Sequence, residues 1–140
     1  MIANISLDVT AWQTLAIGGD ATTAIIIDGD NGDEDYTLTF NQLNSDWNNV
    51  ATNNDAKLVL KNMNITSSHN DGPWNRHDLN FACDVEMENV NSDKALAFKA
   101  DADLTKVTID DANTSDTYAI WIQPNGQTVT LNGCTIDMVD

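Results

Sequence analysis

A six-residue pattern recurs four times in the chain, as Leu60-Lys61-Asn62-Met63-Asn64-Ile65, Met87-Glu88-Asn89-Val90-Asn91-Ser92, Leu104-Thr105-Lys106-Val107-Thr108-Ile109 and Leu131-Asn132-Gly133-Cys134-Thr135-Ile136. Successive copies begin 27, 17 and 27 positions apart, so the spacing varies while the internal order is kept. That order is a large apolar residue, two polar, one apolar, one polar and usually a final apolar. Extended one pair earlier, the register adds Leu58, Val85, Ala102 and Val129. A period of two is the mark of strands with one buried face. Since no copy can bury its apolar side alone, the copies must stack, and like residues then pile into columns. The columns are Leu58/Val85/Ala102/Val129, Leu60/Met87/Leu104/Leu131, Met63/Val90/Val107/Cys134 and Ile65/Ser92/Ile109/Ile136. The fold read from this pattern is all-β, a parallel solenoid.

Between the inward columns lie outward ones, Val59/Glu86/Asp103/Thr130 and Lys61/Glu88/Thr105/Asn132. The same register makes Lys61 and Glu88 cross-strand neighbours. Asn62/Asn89 and Asn64/Asn91 are placed either to form short amide ladders at a corner or simply to serve as turn-favouring residues.

One domain of 140 residues is long enough to bury a sizeable core. Its 22 acidic and 6 basic residues leave a formal charge of −16, a surface that repels nucleic acid and anionic membranes. The acids are scattered, as on a solvated outer surface. No run approaches the 18 apolar residues of a membrane span. Met1-Ile2-Ala3-Asn4 opens no signal peptide, and the fourth copy is followed almost at once by Asp140. A stack ending on an apolar turn needs cover, so the expectation is a piece of a longer secreted protein. Cys83 and Cys134 fall in different columns two turns apart, too distant to bridge, and are read as buried free thiols.

The expected organisation is an N-terminal cap over residues 1–23 followed by about five turns over 24–140. Ile2 to Val9 reads as a strand, and Thr10 caps a short helix over Ala11–Ile17 that Gly18-Gly19 ends. Ala24-Ile25-Ile26-Ile27 and Tyr36-Thr37-Leu38-Thr39-Phe40 read as strands of a first turn, outside the clean register. The third-to-fourth step is minimal, with Leu79, Phe81, Cys83 and Val85 mapping onto Leu96, Phe98, Ala100 and Ala102. Longer turns on either side bulge at one corner, through Thr66 to Asp78 and Asp110 to Thr117, and long loops on one edge of a rigid scaffold tend to carry function.

These columns, the corner asparagines and the segment from Tyr118 to Leu131 resemble right-handed parallel β-helix proteins of the pectate-lyase-like superfamily, in particular secreted gut-bacterial members. The resemblance covers roughly residues 24–136 and implies a right-handed parallel β-helix with an extracellular or cell-surface location. It also implies depolymerisation of acidic polysaccharides, by Ca²⁺ with an Arg base in lyases or by paired Asp residues in hydrolases. The chain departs from both patterns. Trp121-Ile122-Gln123-Pro124 stands where many lyases carry Trp-Ile-Asp-His, and Asp110-Asp111 lacks the His and Lys partners of the hydrolases. The catalytic inference therefore does not transfer.

Thr66 to Asp78 gathers both histidines with an indole and a guanidinium. The ligand-binding candidates are His69, Asp71, Trp74, Arg76 and His77 from this bulge, with Asp110, Asp111, Asp116 and Tyr118 from its neighbour. An aromatic face flanked by planar polar groups matches the C–H patches and hydroxyl edges of a sugar. The favoured alternative is that Trp74 folds back over the scaffold and Arg76 pairs with Asp71 or Asp78. Asp28, Asp30, Asp33 and Asp35 suggest a weak Ca²⁺ site, although the spacing fails the EF-hand rule and an acidic turn explains the stretch as well. Trp121 alternates with Ile120 and Ile122, so it faces outward, and packing under a neighbouring loop is the favoured reading.

The resulting expectation is a non-catalytic extracellular domain that binds a polysaccharide or acts as a surface scaffold, with no cofactor beyond the weak Ca²⁺ site. The alternatives are a polysaccharide lyase or glycoside hydrolase acting on acidic glycans, and a trimeric tailspike-like or adhesin stalk.

Overall fold

The computed structural model describes residues 4–8, 15–18, 23–30, 36–41, 50–67, 79–111, 118–123 and 126–138. In chain order the strands are β1 (Ile5–Asp8), β2 (Leu15–Ile17), β3 (Ala24–Asp28), β4 (Tyr36–Asn41), β5 (Val50–Thr52), β6 (Lys57–Ser67) and β7 (Leu79–Phe81). There follow β8 (Val85–Ser92), β9 (Leu96–Phe98), β10 (Ala102–Thr105), β11 (Thr108–Asp111), β12 (Ile120–Ile122), β13 (Val129–Asn132) and β14 (Thr135–Met138). Among the described residues the helical structure is one 3-10 turn, Asn53–Asp55. No helix there is long and apolar enough to cross a membrane.

The capping helix expected over Ala11–Ile17 needs correction. Leu15–Ile17 is strand β2, pairing with β5 from Leu15↔Val50 to Ile17↔Thr52, while Ala11 to Thr14 lie outside the described residues. A seven-residue helix is too short to be stable alone, and pairing with β5 satisfies the same backbone groups.

All strand pairs are parallel. One sheet runs β1-β4-β6-β8-β10-β13, with β3 on β6 and β11 bridging β8 to β14; the other runs β12-β9-β7-β5-β2. Leu58↔Val85, Val85↔Ala102 and Ala102↔Val129 align the first column, and Leu60↔Met87, Met87↔Leu104 and Leu104↔Leu131 the second. Met63↔Val90 opens the third, and Ile65↔Ser92, Ser92↔Ile109 and Ile109↔Ile136 complete the fourth.

The third residue of each hexamer explains the pattern. Asn62, Asn89, Lys106 and Gly133 all have positive φ, at 51°, 52°, 52° and 62°. A left-handed residue at that point bends the strand and resets which side faces in, so two polar positions separate the two apolar ones. Asn and Gly adopt this conformation at little cost, which accounts for three of the four choices. At this level the side-chain amides stack. Asn89 Nδ2 donates to Asn62 Oδ1 at 3.0 Å, and Asn91 Nδ2 donates to Asn64 Oδ1 at 3.2 Å.

The first pass turns this corner differently. β3 pairs with Lys57–Lys61 and β4 with Met63–Ser67, so the register of the two strands on β6 leaves only Asn62 between them. Gly29 N donates to Lys61 O at 2.8 Å. A Cβ at Gly29 would lie 2.3 Å from Asn62 O and 2.7 Å from Met63 Cβ, so only glycine fits this approach.

The columns form one core. Leu58, Leu60, Met63, Met87, Val90 and Leu96 are fully buried, joined by Phe40, Phe81 and Phe98. Phe81 stacks on Phe98 with ring centroids 5.9 Å apart and meets Phe40 edge-on at 6.4 Å. Ser92 is the polar member of its column. Its hydroxyl donates to Lys94 O at 2.8 Å and accepts from Lys94 N at 3.2 Å, so burial leaves it satisfied. Val59, expected to face outward, is only 5 % exposed, set between Ile26 and Glu86 in the ladder and flanked by Lys57 and Lys61. Cys83 is buried and free as expected, whereas Cys134 is free but only partly buried.

Candidate functional site

Strands β7 and β9 are buried at every residue, so both of their faces are covered. Inward, Leu79 and Phe81 stack on Leu96 and Phe98; outward, Asn80 pairs with Ala97, and Ala97 with Trp121 of β12. Ala97 is small enough to leave room for the aromatic group beside it. Trp121 is half-buried there, and its ring lies 5.6 Å from that of half-buried Tyr118, tilted by 52°. A tilted pair at this distance is a favourable geometry for two quadrupolar rings. The short strand Ile120–Ile122 fixes the indole through the register Trp121↔Ala97, with backbone bonds from Leu96 N to Ala119 O and from Gln123 N to Phe98 O.

Of the sequence-derived ligand residues, Tyr118 belongs to this pair and Asp110 stands exposed on β11, in register with Asp137 of β14. Asp111 is in β11 as well, though only its backbone is described. His69, Asp71, Trp74, Arg76, His77 and Asp116 lie outside the described residues. The sequence places Trp121 under a neighbouring loop; in the structure its ring meets that of Tyr118, three residues earlier.

The acidic turn divides similarly. Asp33 and Asp35 lie outside the described residues, while Asp28 and Asp30 are exposed. Asp28 Oδ1 accepts from Asp30 N at 3.0 Å and from Asn62 Nδ2 at 3.0 Å. The backbone bond from Asp30, then the Asn62 amide, hold the Asp28 carboxyl below its ordinary pKa. Asp28 thus heads the amide ladder Asp28–Asn62–Asn89. Among the described residues no group of three or more His, Cys, Asp or Glu side chains is placed to hold a metal ion.

On the outer side of β6, β8 and β10 the few lysines are paired. Lys57 reaches Glu86 at 3.3 Å and Asp103 at 3.8 Å, and Lys61 reaches Glu88 at 3.0 Å. The hydrogen bond to Glu88, then the attraction of that charge, raise the Lys61 pKa. These pairs are exposed and screened by solvent, so they add little to stability. They leave the face acidic, since Asp84 and Asp101 flank it exposed.

A cleft of about 350 Å³ opens beside the 3-10 turn, lined by Ala51, Thr52, Asp55, Ala82, Cys83, Asp84 and Ala100. Burial pushes the Cys83 thiol up to about 11. At neutral pH it is therefore protonated and a poor nucleophile. No known protein family matches the chain, nor does any curated protein or solved structure.

Proposed function

We propose that the chain is a right-handed parallel β-helix of about five turns and that it serves outside the cell as a non-catalytic, glycan-binding domain. The fold reading is supported by the registers, in which the chain returns to the same strand positions in the same direction and in step. The observation that carries the binding reading is the tilted Tyr118–Trp121 pair, half-buried on the outer side of a strand whose inner side is anchored in the core. A pyranose ring docks its C–H face on such a surface while flanking polar groups take its hydroxyls. Asp110 and Asp111 adjoin the bulge on one side and Tyr118 on the other. His69, Asp71, Trp74, Arg76, His77 and Asp116 belong to the two bulges that would supply the hydroxyl contacts. A charge of −16 opposes uronate polymers, so the ligand class is a neutral polysaccharide.

Affinity electrophoresis through gels containing neutral β-glucan, mannan or polygalacturonate tests this reading. Retardation by a neutral polymer is expected, reduced at least about tenfold in affinity by Trp121→Ala and Tyr118→Ala. Unretarded migration in every gel, or variants that bind like the parent, would remove the reading. Unsaturated products from polygalacturonate with Ca²⁺, abolished by Arg76→Ala, would establish a lyase instead.

A further inference from the structure

The cleft beside the 3-10 turn lies mid-stack, at one corner of three successive passes, and the registers account for it. Val50 to Leu58 spans eight positions, while their partners Phe81 and Val85 are four apart. Phe98 and Ala102, the partners on the following pass, are again four apart. The surplus is the turn Asn53–Asp55, and beside it the corner carries only short side chains at Ala82 and Ala100. A tall turn next to a low corner encloses the space of about 350 Å³, within the range of small-molecule sites.

Its side chains offer hydrogen-bond acceptors and methyl groups. The Thr52 hydroxyl donates to Ala56 O, so lone pairs are what it presents to a ligand. The buried Cys83 thiol directs its weak donor at Val50 O, 3.9 Å away. Asp55 and Asp84 are exposed. Asp84 Oδ1 accepts from Asp101 N at 3.3 Å, and a carboxylate has further lone pairs beyond that bond. Ala51, Ala82 and Ala100 supply the methyls, and among the described residues no aromatic ring lines the space.

We infer that this cleft binds a primary alkylammonium group, whose three N–H donors are shared among Asp55, Asp84 and the Thr52 oxygen while its aliphatic stem lies on the alanine methyls. A cation that only donates complements a lining whose side chains accept. A quaternary ammonium is held by aromatic faces, which this cleft lacks among the described residues. An anion would meet two carboxylates in a chain of charge −16. The ammonium can belong to a free amine or to a lysine side chain of another protein.

Titration of the ¹⁵N-labelled chain with n-butylammonium chloride at neutral pH and low salt, followed by amide chemical shifts, is the test. The expected result is saturable shifts concentrated at Thr52, Asp55, Cys83, Asp84 and Ala100, with a Kd of about 1 mM for so small a ligand. Butan-1-ol, of the same size without the charge, should leave these shifts unmoved. Asp55→Asn keeps a residue that tolerates the left-handed backbone at φ 54°, and Asp84→Asn keeps an acceptor for Asp101 N. Each should weaken binding by at least about fivefold, whereas Asp137→Asn, the same loss of charge on β14, should change it by less than about twofold. Nα-acetyl-lysine methylamide binding as tightly as n-butylammonium assigns the group to a protein side chain; binding of the free amine alone assigns it to a small molecule. Absence of a saturable shift overturns the inference. So do shifts spread over the whole acidic surface, an Asp137→Asn effect equal to those of the cleft variants, or butan-1-ol binding as well as the amine.

Discussion

Asn89 donates its side-chain amide to Asn62 Oδ1 at 3.0 Å, and Asn62 passes its own amide to Asp28 Oδ1 at the same distance. Both asparagines are left-handed. One residue type therefore supplies the corner conformation and the bond across passes. Asn62→Ala loses two side-chain bonds and places a Cβ-bearing residue without local compensation at positive φ, which costs about 2 kcal/mol. Asn62→Gly keeps the corner and loses only the bonds, costing about 1 kcal/mol. Urea denaturation should rank parent, Asn62→Gly and Asn62→Ala in that order; equal losses would mean that backbone conformation contributes nothing here.

Asp28 gives the ladder an acid-sensitive end. Its folded-state pKa lies below the ordinary value of 3.8, so the unfolded chain binds this proton more readily. The stability it contributes is present above about pH 4 and is lost as pH falls through the lower folded value. Denaturation midpoints measured from pH 6 down to about 2.5 should fall less steeply below pH 4 in Asp28→Asn than in the parent. Solvent screening at this exposed site keeps the difference small. Identical acid limbs would show that the carboxylate bonds are not formed in solution.

Cys83 acts at the opposite end of the pH scale. With its pKa raised to about 11 from 9.0, the folded chain holds the thiol proton more tightly than the unfolded chain does. That contribution is full below pH 9 and is lost as pH rises toward 11, so Cys83→Ala flattens the alkaline limb of the stability profile. Thiol labelling at pH 8 provides a second readout. Cys134, only partly buried, should react at least about tenfold faster than Cys83, and denaturant should abolish the difference.

The four columns were legible because each hexamer carries its own corner, and the left-handed third residue keeps the register whatever the loop length between copies. Lys61–Glu88 followed from the same alignment, which offered the amide ladders as one of two readings of the paired asparagines. The first pass was not legible: seven sequence positions separate β3 from β4 where their partners on β6 are separated by one, so the two look like unrelated strands until both are seen on β6. Leu15–Ile17 reads locally as the end of a helix, and only pairing with a distant strand, β5, makes it β. Asp28 invited a metal reading because its partner Asn62 is 34 residues away. Tyr118 and Trp121 meet across the entry to β12, a contact that strand periodicity does not encode.

Phe81, Phe98 and Ile122 occupy one column on successive strands, which allows burial to be separated from residue type. Phe81 touches rings on both sides, edge-on to Phe40 and stacked on Phe98, and is fully buried. Its truncation to Ala removes the ring from a site that cannot collapse without shifting two neighbours, at about 4 kcal/mol, whereas Phe81→Leu keeps most of the volume and costs about 1.5 kcal/mol. Ile122 is 50 % exposed, so Ile122→Ala leaves no enclosed cavity and should cost under about 1 kcal/mol. Urea midpoints compared at one protein concentration decide the matter. A loss at Ile122 approaching that at Phe81 would mean that Ile122 is enclosed in solution, because only an enclosed side chain is that sensitive to truncation.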